Sequence, residues 1–304
     1  MRKPRIAVAA AALLAATCAI GQADDFPNRT VQLMVAYPPG GSTDVGARVV
    51  ASIAEKILGK PMVVVNKAGA GGQVGWTDMA RQKPDGYYIG YLNLPATNTV
   101  VLDPGLVWVR GDSPYKTLKD LVDAAKKAPN TIRTATTGIL SDDHLAILML
   151  EEAAPGAVFR IVHLEGGAAQ LKEIMGGHVD VAFDNVGSVA PRVRSGELRG
   201  LAVMDPQRSK FVPDVPTTKE AGYPSVISNS TRGIAAPRGT PQPVLKKLEA
   251  ALRKAMEDPE HVQKMEAAGL AVKIMVGEEY ARYYRETHAQ AKKYTEWAKN
   301  RPHK

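Results

Sequence analysis

The stretch that most constrains this chain is Tyr37-Pro38-Pro39-Gly40-Gly41-Ser42-Thr43-Asp44. It follows an apolar run from Val31 to Ala36 that reads as a buried strand. It precedes Val45, Val49, Ile53 and Ile57, which recur every fourth residue along one face of a helix. The stretch is therefore a strand-to-helix turn. Two prolines stiffen the exit from the strand, and two glycines can adopt positive φ and expose their N–H groups. Ser42 or Thr43 is a natural N-cap for the helix. Unpaired N–H groups at the positive end of a helix dipole attract an anion. An ordinary capped turn would use the same residues, so the rest of the chain has to decide. It is not a Walker loop, because no Gly-Lys-Ser/Thr follows the glycines.

The chain opens Met1-Arg2-Lys3-Pro4-Arg5, runs apolar from Ile6 to Ile20 and reaches Gly21-Gln22-Ala23. A basic start, a short apolar core and small residues at the end predict a secretory signal peptide cut after Ala23. The apolar run is short for a bilayer. A lipoprotein would instead be acylated at Cys18, although Ala15-Ala16-Thr17 matches the required context poorly. Cys18 is the only cysteine, so cleavage after Ala23 leaves neither a disulfide framework nor thiol catalysis. The net charge of +8 falls by three when Arg2, Lys3 and Arg5 leave. What remains is mildly basic and interspersed, which suits acidic small molecules and carries no nucleic-acid signature. The length favours two compact domains.

Further along, Pro61 to Val65 reads as a strand ending in the glycine-rich Asn66-Lys67-Ala68-Gly69-Ala70-Gly71-Gly72. A dinucleotide fingerprint fails there, since Val74 stands where the third glycine belongs. Tyr87 to Leu92 is a third strand, closing in a polar turn over 93–98. A helix over 118–128 and a strand over 132–136 lead to Thr137-Gly138-Ile139-Leu140-Ser141-Asp142-Asp143-His144, with Ser141 as N-cap and two acids in the first helical turn. Strands over 158–164, 179–184 and 198–204 alternate with helices opening at Gly166-Gly167 and Val186. Three strand ends in glycine-rich or polar turns would lie on one sheet edge, where ligands bind in parallel α/β folds. The proline-rich 205–223 reads as a crossing back to the first domain, followed by a strand at 234–235. Helices starting near Pro241, Pro259 and Gly277 complete the chain, the last with Tyr280, Tyr283, Tyr284, Tyr294 and Trp297 as core packing.

Catalytic patterns are missing. There is no G-x-S-x-G elbow, no H-E-x-x-H and no Cys/His cluster, and the six histidines are scattered. Asp142 with His144 is explained by a capped helix start, so neither metal nor cofactor is expected. Neither glycine-rich turn contains an arginine, which predicts an anion held by N–H dipoles and hydroxyls and not by an ion pair.

Four segments together carry a resemblance: 37–44, Asn66 to Gly72, Lys83-Pro84-Asp85-Gly86-Tyr87, and Gly177-His178-Val179-Asp180-Val181-Ala182-Phe183-Asp184. In this order they resemble the extracytoplasmic solute receptors of tripartite tricarboxylate transporters, the TctC or Bug family. The resemblance implies an α/β fold of the type II periplasmic binding protein kind, with two lobes around a ligand cleft and hinge crossings between them. The segments would be 24–128 and 224–304 for the first lobe and 129–223 for the second. It implies a periplasmic, monomeric receptor that binds a small carboxylate (a di- or tricarboxylate, amino acid or aromatic acid) and passes it to membrane permease subunits. A secreted enzyme acting on a carboxylated small molecule is the alternative. Carried over by position, the ligand-binding residues are Tyr37, Gly40, Gly41, Ser42, Thr43 and Asp44 on one side. On the other stand Thr137, Gly138, Ser141, His144 and Asp184, with Gly71 and Gly72 added from the second turn. One departure stands out. In Val162-His163-Leu164-Glu165-Gly166-Gly167 an acid replaces the family's usual lysine, so Glu165 could favour a ligand carrying a hydroxyl or amino group.

Overall fold

The computed structural model describes residues 25–92, 101–272, and positions 282, 285, 289 and 292–297. The expected signal peptide, the turn over 93–98 and Tyr280, Tyr283 and Tyr284 lie outside the described residues.

The chain begins as a regular βα alternation. Strand β1 (Val31–Val35) leads through the Pro-Pro-Gly-Gly turn into α1 (Ser42–Leu58). Strand β2 (Met62–Asn66) leads through a 3₁₀ turn at Ala70–Gly72 into α2 (Gln73–Ala80), and β3 (Tyr88–Leu92) follows. Both β2 and β3 pair with β1 in parallel, Val31 opposite Met62 and Leu33 opposite Ile89. Ala47, Val50, Ala51 and Ala54 of α1 pack onto Val31, Leu33 and Val35. Val45 and Val49, on the stripe seen in the sequence, are only partly buried and pack beside Met265 and Leu270.

Two strands then join the halves of the molecule. Strand β4 (Val101–Arg110) and strand β9 (Asn229–Ala235) run antiparallel, Asp103 opposite Ser230 and Val101 opposite Arg232. Beyond Arg232, β9 pairs with β3. Beyond Pro104, β4 pairs with β7 (Val181–Asn185) on one side and β8 (Leu198–Val203) on the other. Pro104 lacks an N–H. It stands where β4 changes partners, and Gly105 donates to the Ser228 carbonyl at 2.8 Å. The Asp-Pro-Gly triplet resembles a turn in sequence, yet here it is the middle of a ten-residue strand. Among the described residues the resulting nine-stranded sheet runs β2-β1-β3-β9-β4-β7-β5-β6, with β5 at Arg133–Thr136, β6 at Arg160–His163 and β8 also on β4. It is mixed, not purely parallel.

The second half holds α3 (Leu118–Lys127), β5 (Arg133–Thr136), α4 (Asp142–Ala153), β6 (Arg160–His163), α5 (Gly167–Met175) and α6 (Val186–Arg194). Strand β5 pairs in parallel with β6 and β7. Thr117 opens α3 with a complete capping box to Asp120. Leu118, Leu121, Val122 and Ala125 of α3 share a core with Leu145–Leu150, Phe159 and Phe183. Residues 105–128, expected in the first lobe, therefore pack in the second half. Phe211, Val212 and Val215 pack there too, against Trp108 and Val203, so part of the segment 205–223 packs with the second half, and β9 is the strand that pairs with both β3 and β4.

Helices α7 (Gln242–Glu257) and α8 (Pro259–Ala267) return to the first half. The last described turn does not. Tyr294 is buried in the second-half core, and its hydroxyl donates to Glu152 Oε2 at 2.6 Å. Burying an aromatic ring while tying its hydroxyl is a strong local anchor, so residues 292–297 depart from the expected first-lobe placement.

Candidate functional site

Four helices start at one cleft between the halves: α1 after β1, α4 after β5, α5 after β6 and α6 after β7. About 420 Å³ of empty space, open mouth included, is lined by residues of both halves and by Arg232.

The α1 wall differs from expectation in its cap. Gly41, at φ −79 and ψ 166, is the N-cap, and no side chain caps the helix. Ser42 and Thr43 sit in the first turn, and both are buried. The left-handed residue is Gly40, at φ 92, which turns its N–H onto Asp44 Oδ2 at 3.0 Å. Asp44 also takes two hydrogen bonds from Arg48 at 2.9 Å and one from Asn66 at 2.9 Å. Burial works against its charge, but these donors hold its carboxyl below the ordinary value. Asp44 thus fastens the turn. Asn66 also donates to the Tyr37 carbonyl at 2.9 Å, fixing the strand exit.

Arg232 is the residue that sequence reasoning missed. It projects from β9 into the base of the cleft with its side chain 1% exposed. Nη1 donates to Asp103 Oδ2 at 3.0 Å, Nη2 donates to Ser42 Oγ at 2.6 Å, and Nε lies 3.5 Å from Thr43 Oγ1. The expected anion site without an arginine therefore has one, although its charge is met by Asp103. Asp103 Oδ1 in turn accepts from the Gly187 N–H at 2.9 Å, in the first turn of α6. Ser188 Oγ lies 3.2 Å from Ser42 Oγ, linking α6 to α1 directly.

The opposite wall is acidic. Asp184 Oδ1 accepts from the Asn185 N–H at 2.8 Å. Its Oδ2 is buried with no donor in hydrogen-bonding geometry, although the Ser188 hydroxyl lies beside the carboxyl. Burial pushes Asp184 up to about 7 and Asp103 up to about 6, the latter against the pull of Arg232. Asp142 is raised by burial, and Asp143 further, by burial and by the charges of Asp142 and Asp184. Asn185 Nδ2 reaches Asp142 Oδ2 at 3.3 Å, and Thr137 Oγ1 donates to Asp143 Oδ2 at 2.5 Å. Glu165, Gly166, Gly167 and Ala168 complete this wall at the start of α5.

Of the residues expected at the site, Tyr37, Gly41, Ser42, Thr43, Asp44, Thr137 and Asp184 line the cleft. Gly40, Gly72, Ser141 and His144 do not. Ser141 caps α4 through the His144 N–H at 3.2 Å. The His144 ring accepts from the Leu140 N–H at 3.0 Å and packs edge-on against His163. Gly71 and Gly138 meet each other where the halves touch: a Cβ on Gly138 would lie 3.2 Å from Gly71 Cα. Among the described residues, no group of three or more His, Cys, Asp or Glu is placed to hold a metal.

Known proteins are similar to this chain in sequence and fold. The sequence matches the profile described as "Tripartite tricarboxylate transporter family receptor" over residues 46–104 and 93–298. A Cupriavidus necator protein, "UPF0065 protein in gbd 5'region", is 36% identical and covers 93% of this chain and 91% of its own length. The chain belongs to the receptor family. Among solved receptors, periplasmic binding protein BugD superposes with a TM-score of 0.80 at 30% identity, over 90% of this chain and 98% of BugD. MatC from Rhodopseudomonas palustris, solved with bound malate, gives 0.78 at 26% identity over 88% and 98%. As a receptor of this family the chain has the periplasmic binding protein fold, and its cleft occupies the junction of the two halves.

Proposed function

We propose that this receptor binds a small carboxylate in the cleft and delivers it to the membrane subunits of a tripartite transporter. The observation that carries the reading is the start of α1. An uncapped helix N-terminus faces the cleft, with two buried hydroxyls beside it that are held by a buried arginine. Partial positive charge, N–H donors and hydroxyls suit a carboxylate. MatC, of similar fold, holds malate. In this reading Ser42, Thr43 and Gly41 contact the anion, with Thr137 and Asp184 on the facing wall. Gly71 and Gly138 serve closure.

The halves act as lobes, with residues 25–92 and 233–267 in the first, 105–228 in the second, and the β4–β9 pair as the hinge. Export through a signal peptide cut after Ala23 would place the receptor in the periplasm as a monomer. Titration calorimetry against a panel of mono-, di- and tricarboxylates, with each acid recovered afterwards, tests the proposal. It expects saturable 1:1 binding and the acid returned unchanged. Consumption of a bound acid would favour the enzyme reading, and binding of none would overturn the assignment of the cleft.

A further inference from the structure

The two walls of the cleft are not equivalent. At the start of α1 the one acidic side chain, Asp44, is paired with Arg48 and held by Asn66. The helix end therefore offers the cleft two hydroxyls and no unpaired charge. Across the cleft α5 also begins without a side-chain cap, at Gly166. A second carboxylate on a ligand would seek that helix end. The chain has placed a carboxylate of its own there. Asp184 Oδ2 sits against Gly167 Cα so closely that a Cβ at 167 would lie 2.5 Å from it. That oxygen is buried, on a residue 2% exposed, with no donor in hydrogen-bonding geometry, because the Ser188 hydroxyl beside the carboxyl donates to Ser42 Oγ. Glu165 stands one residue before the same helix cap, exposed and on the cleft wall, and among the described residues no cation pairs with it. Arg232, the only base among the described lining residues, faces Ser42 and Asp103 and not this wall.

A buried acceptor lacking a donor carries a desolvation cost of about 1–3 kcal/mol, and a ligand that supplies the donor relieves it. A ligand carboxylate in the same place would instead meet the negative charge of Glu165 and the buried acidic group of Asp184, with no base among the described lining residues of that wall to offset either. We infer that the solute of this cleft carries one carboxylate, held at the start of α1, and a hydrogen-bond donor, an ammonium or hydroxyl group, that meets Asp184 and Glu165 on the opposite wall. The inference rests on the carboxylate reading of the cleft and narrows it: matched dicarboxylates are disfavoured.

The test is titration calorimetry with carboxylates of three to six carbons bearing methyl, hydroxyl, ammonium or carboxylate substituents at the α or terminal position. Wild type is compared with Glu165→Gln and Glu165→Lys. Glu165 is exposed, so both variants should fold. At least one hydroxy or amino acid is expected to bind about tenfold or more tighter than the dicarboxylate of matched length. Glu165→Gln should narrow that gap, and Glu165→Lys should reverse it. Dicarboxylates binding as tightly as or tighter than the donor-bearing acids would overturn the inference and leave the carboxylate reading standing. An order of affinities unchanged in Glu165→Lys would overturn it too. If no acid of the series binds, the carboxylate reading itself fails, and this inference with it.

Discussion

Arg232 and Asp103 form an ion pair at 3.0 Å, with side chains 1% and 0% exposed, on the two strands that join the halves of the molecule. Each partner also reaches a helix start, Arg232 to Ser42 of α1 and Asp103 to Gly187 of α6. The pair thus ties the two joining strands to the starts of α1 and α6. A buried pair satisfied by further hydrogen bonds is costly to break, because the survivor is left as an unpaired buried charge.

Arg232→Met should therefore destabilise the protein by about 3–5 kcal/mol, read from urea unfolding midpoints. Asp103→Asn added to that variant should restore part of the loss, since the stranded charge is then gone. The double-mutant cycle measures this coupling directly. Additive losses would mean that the two residues do not act as a unit.

Gly41→Val probes the anion wall without touching the core. Gly41 has an ordinary φ of −79, and a Cβ there meets nothing within 4 Å. The valine methyls would occupy the cleft beside Ser42. Affinity for the best-binding acid should fall by at least about tenfold, roughly 1.4 kcal/mol, with the melting temperature unchanged. Unchanged affinity in calorimetry would show that the turn is only a structural element.

Closure is probed at the two glycines that meet. A Cβ on Gly138 would lie 3.2 Å from Gly71 Cα, and Gly138 has φ 145. Gly138→Ala should hold the halves apart and strain its own turn by about 1–3 kcal/mol. The expected readouts are a larger radius of gyration in X-ray scattering with ligand present and weaker binding. Gly222→Ala is the control: it also has positive φ, with nothing within 4 Å of the added Cβ. It should lower stability and leave affinity alone.

The parts of this structure written in short stretches of sequence were readable there. The strand-to-helix turn at 37–44, the Ser141 cap and the βα rhythm each depend on residues within a turn or two of one another. Arg232 was not readable, because its partner Asp103 lies 129 positions away and a lone arginine in Ser230-Thr231-Arg232-Gly233 carries no local signal. Strand β4 was hidden for a related reason. Asp103-Pro104-Gly105 has the composition of a turn, and only the change of pairing partner at Pro104 makes those residues suitable inside a strand. The N-cap was misplaced because Ser42 and Thr43 have the right chemistry for a cap. Their hydroxyls are instead engaged with Arg232, a contact decided by tertiary structure.

Asp184 gives the protein an acid-dependent stability. Burial raises its carboxyl to about 7, whereas in the unfolded chain it titrates near about 4. Above pH 7 the folded state carries the full cost of a buried charge. As pH falls from about 7 towards 4 the folded protein takes up a proton that the unfolded chain does not, so stability rises across that window. Asp103, raised to about 6, and Asp142 and Asp143, also raised, act in the same direction. His163 and His261 are held below their ordinary value by burial, and they oppose the trend as pH falls below about 6.5. The contribution of Asp184 is therefore isolated by comparing wild type with Asp184→Asn, which has no proton to gain. At pH 7.5 the variant should be the more stable by about 1 kcal/mol or more, since a tenfold change in a protonation equilibrium corresponds to about 1.4 kcal/mol. By pH 5 that advantage should have disappeared. Urea unfolding of both proteins at pH 7.5, 6.5, 5.5 and 5.0 measures the difference. A stability difference that stays constant over this range would show that Asp184 is already ionised at the lowest pH, and that its environment does not raise it.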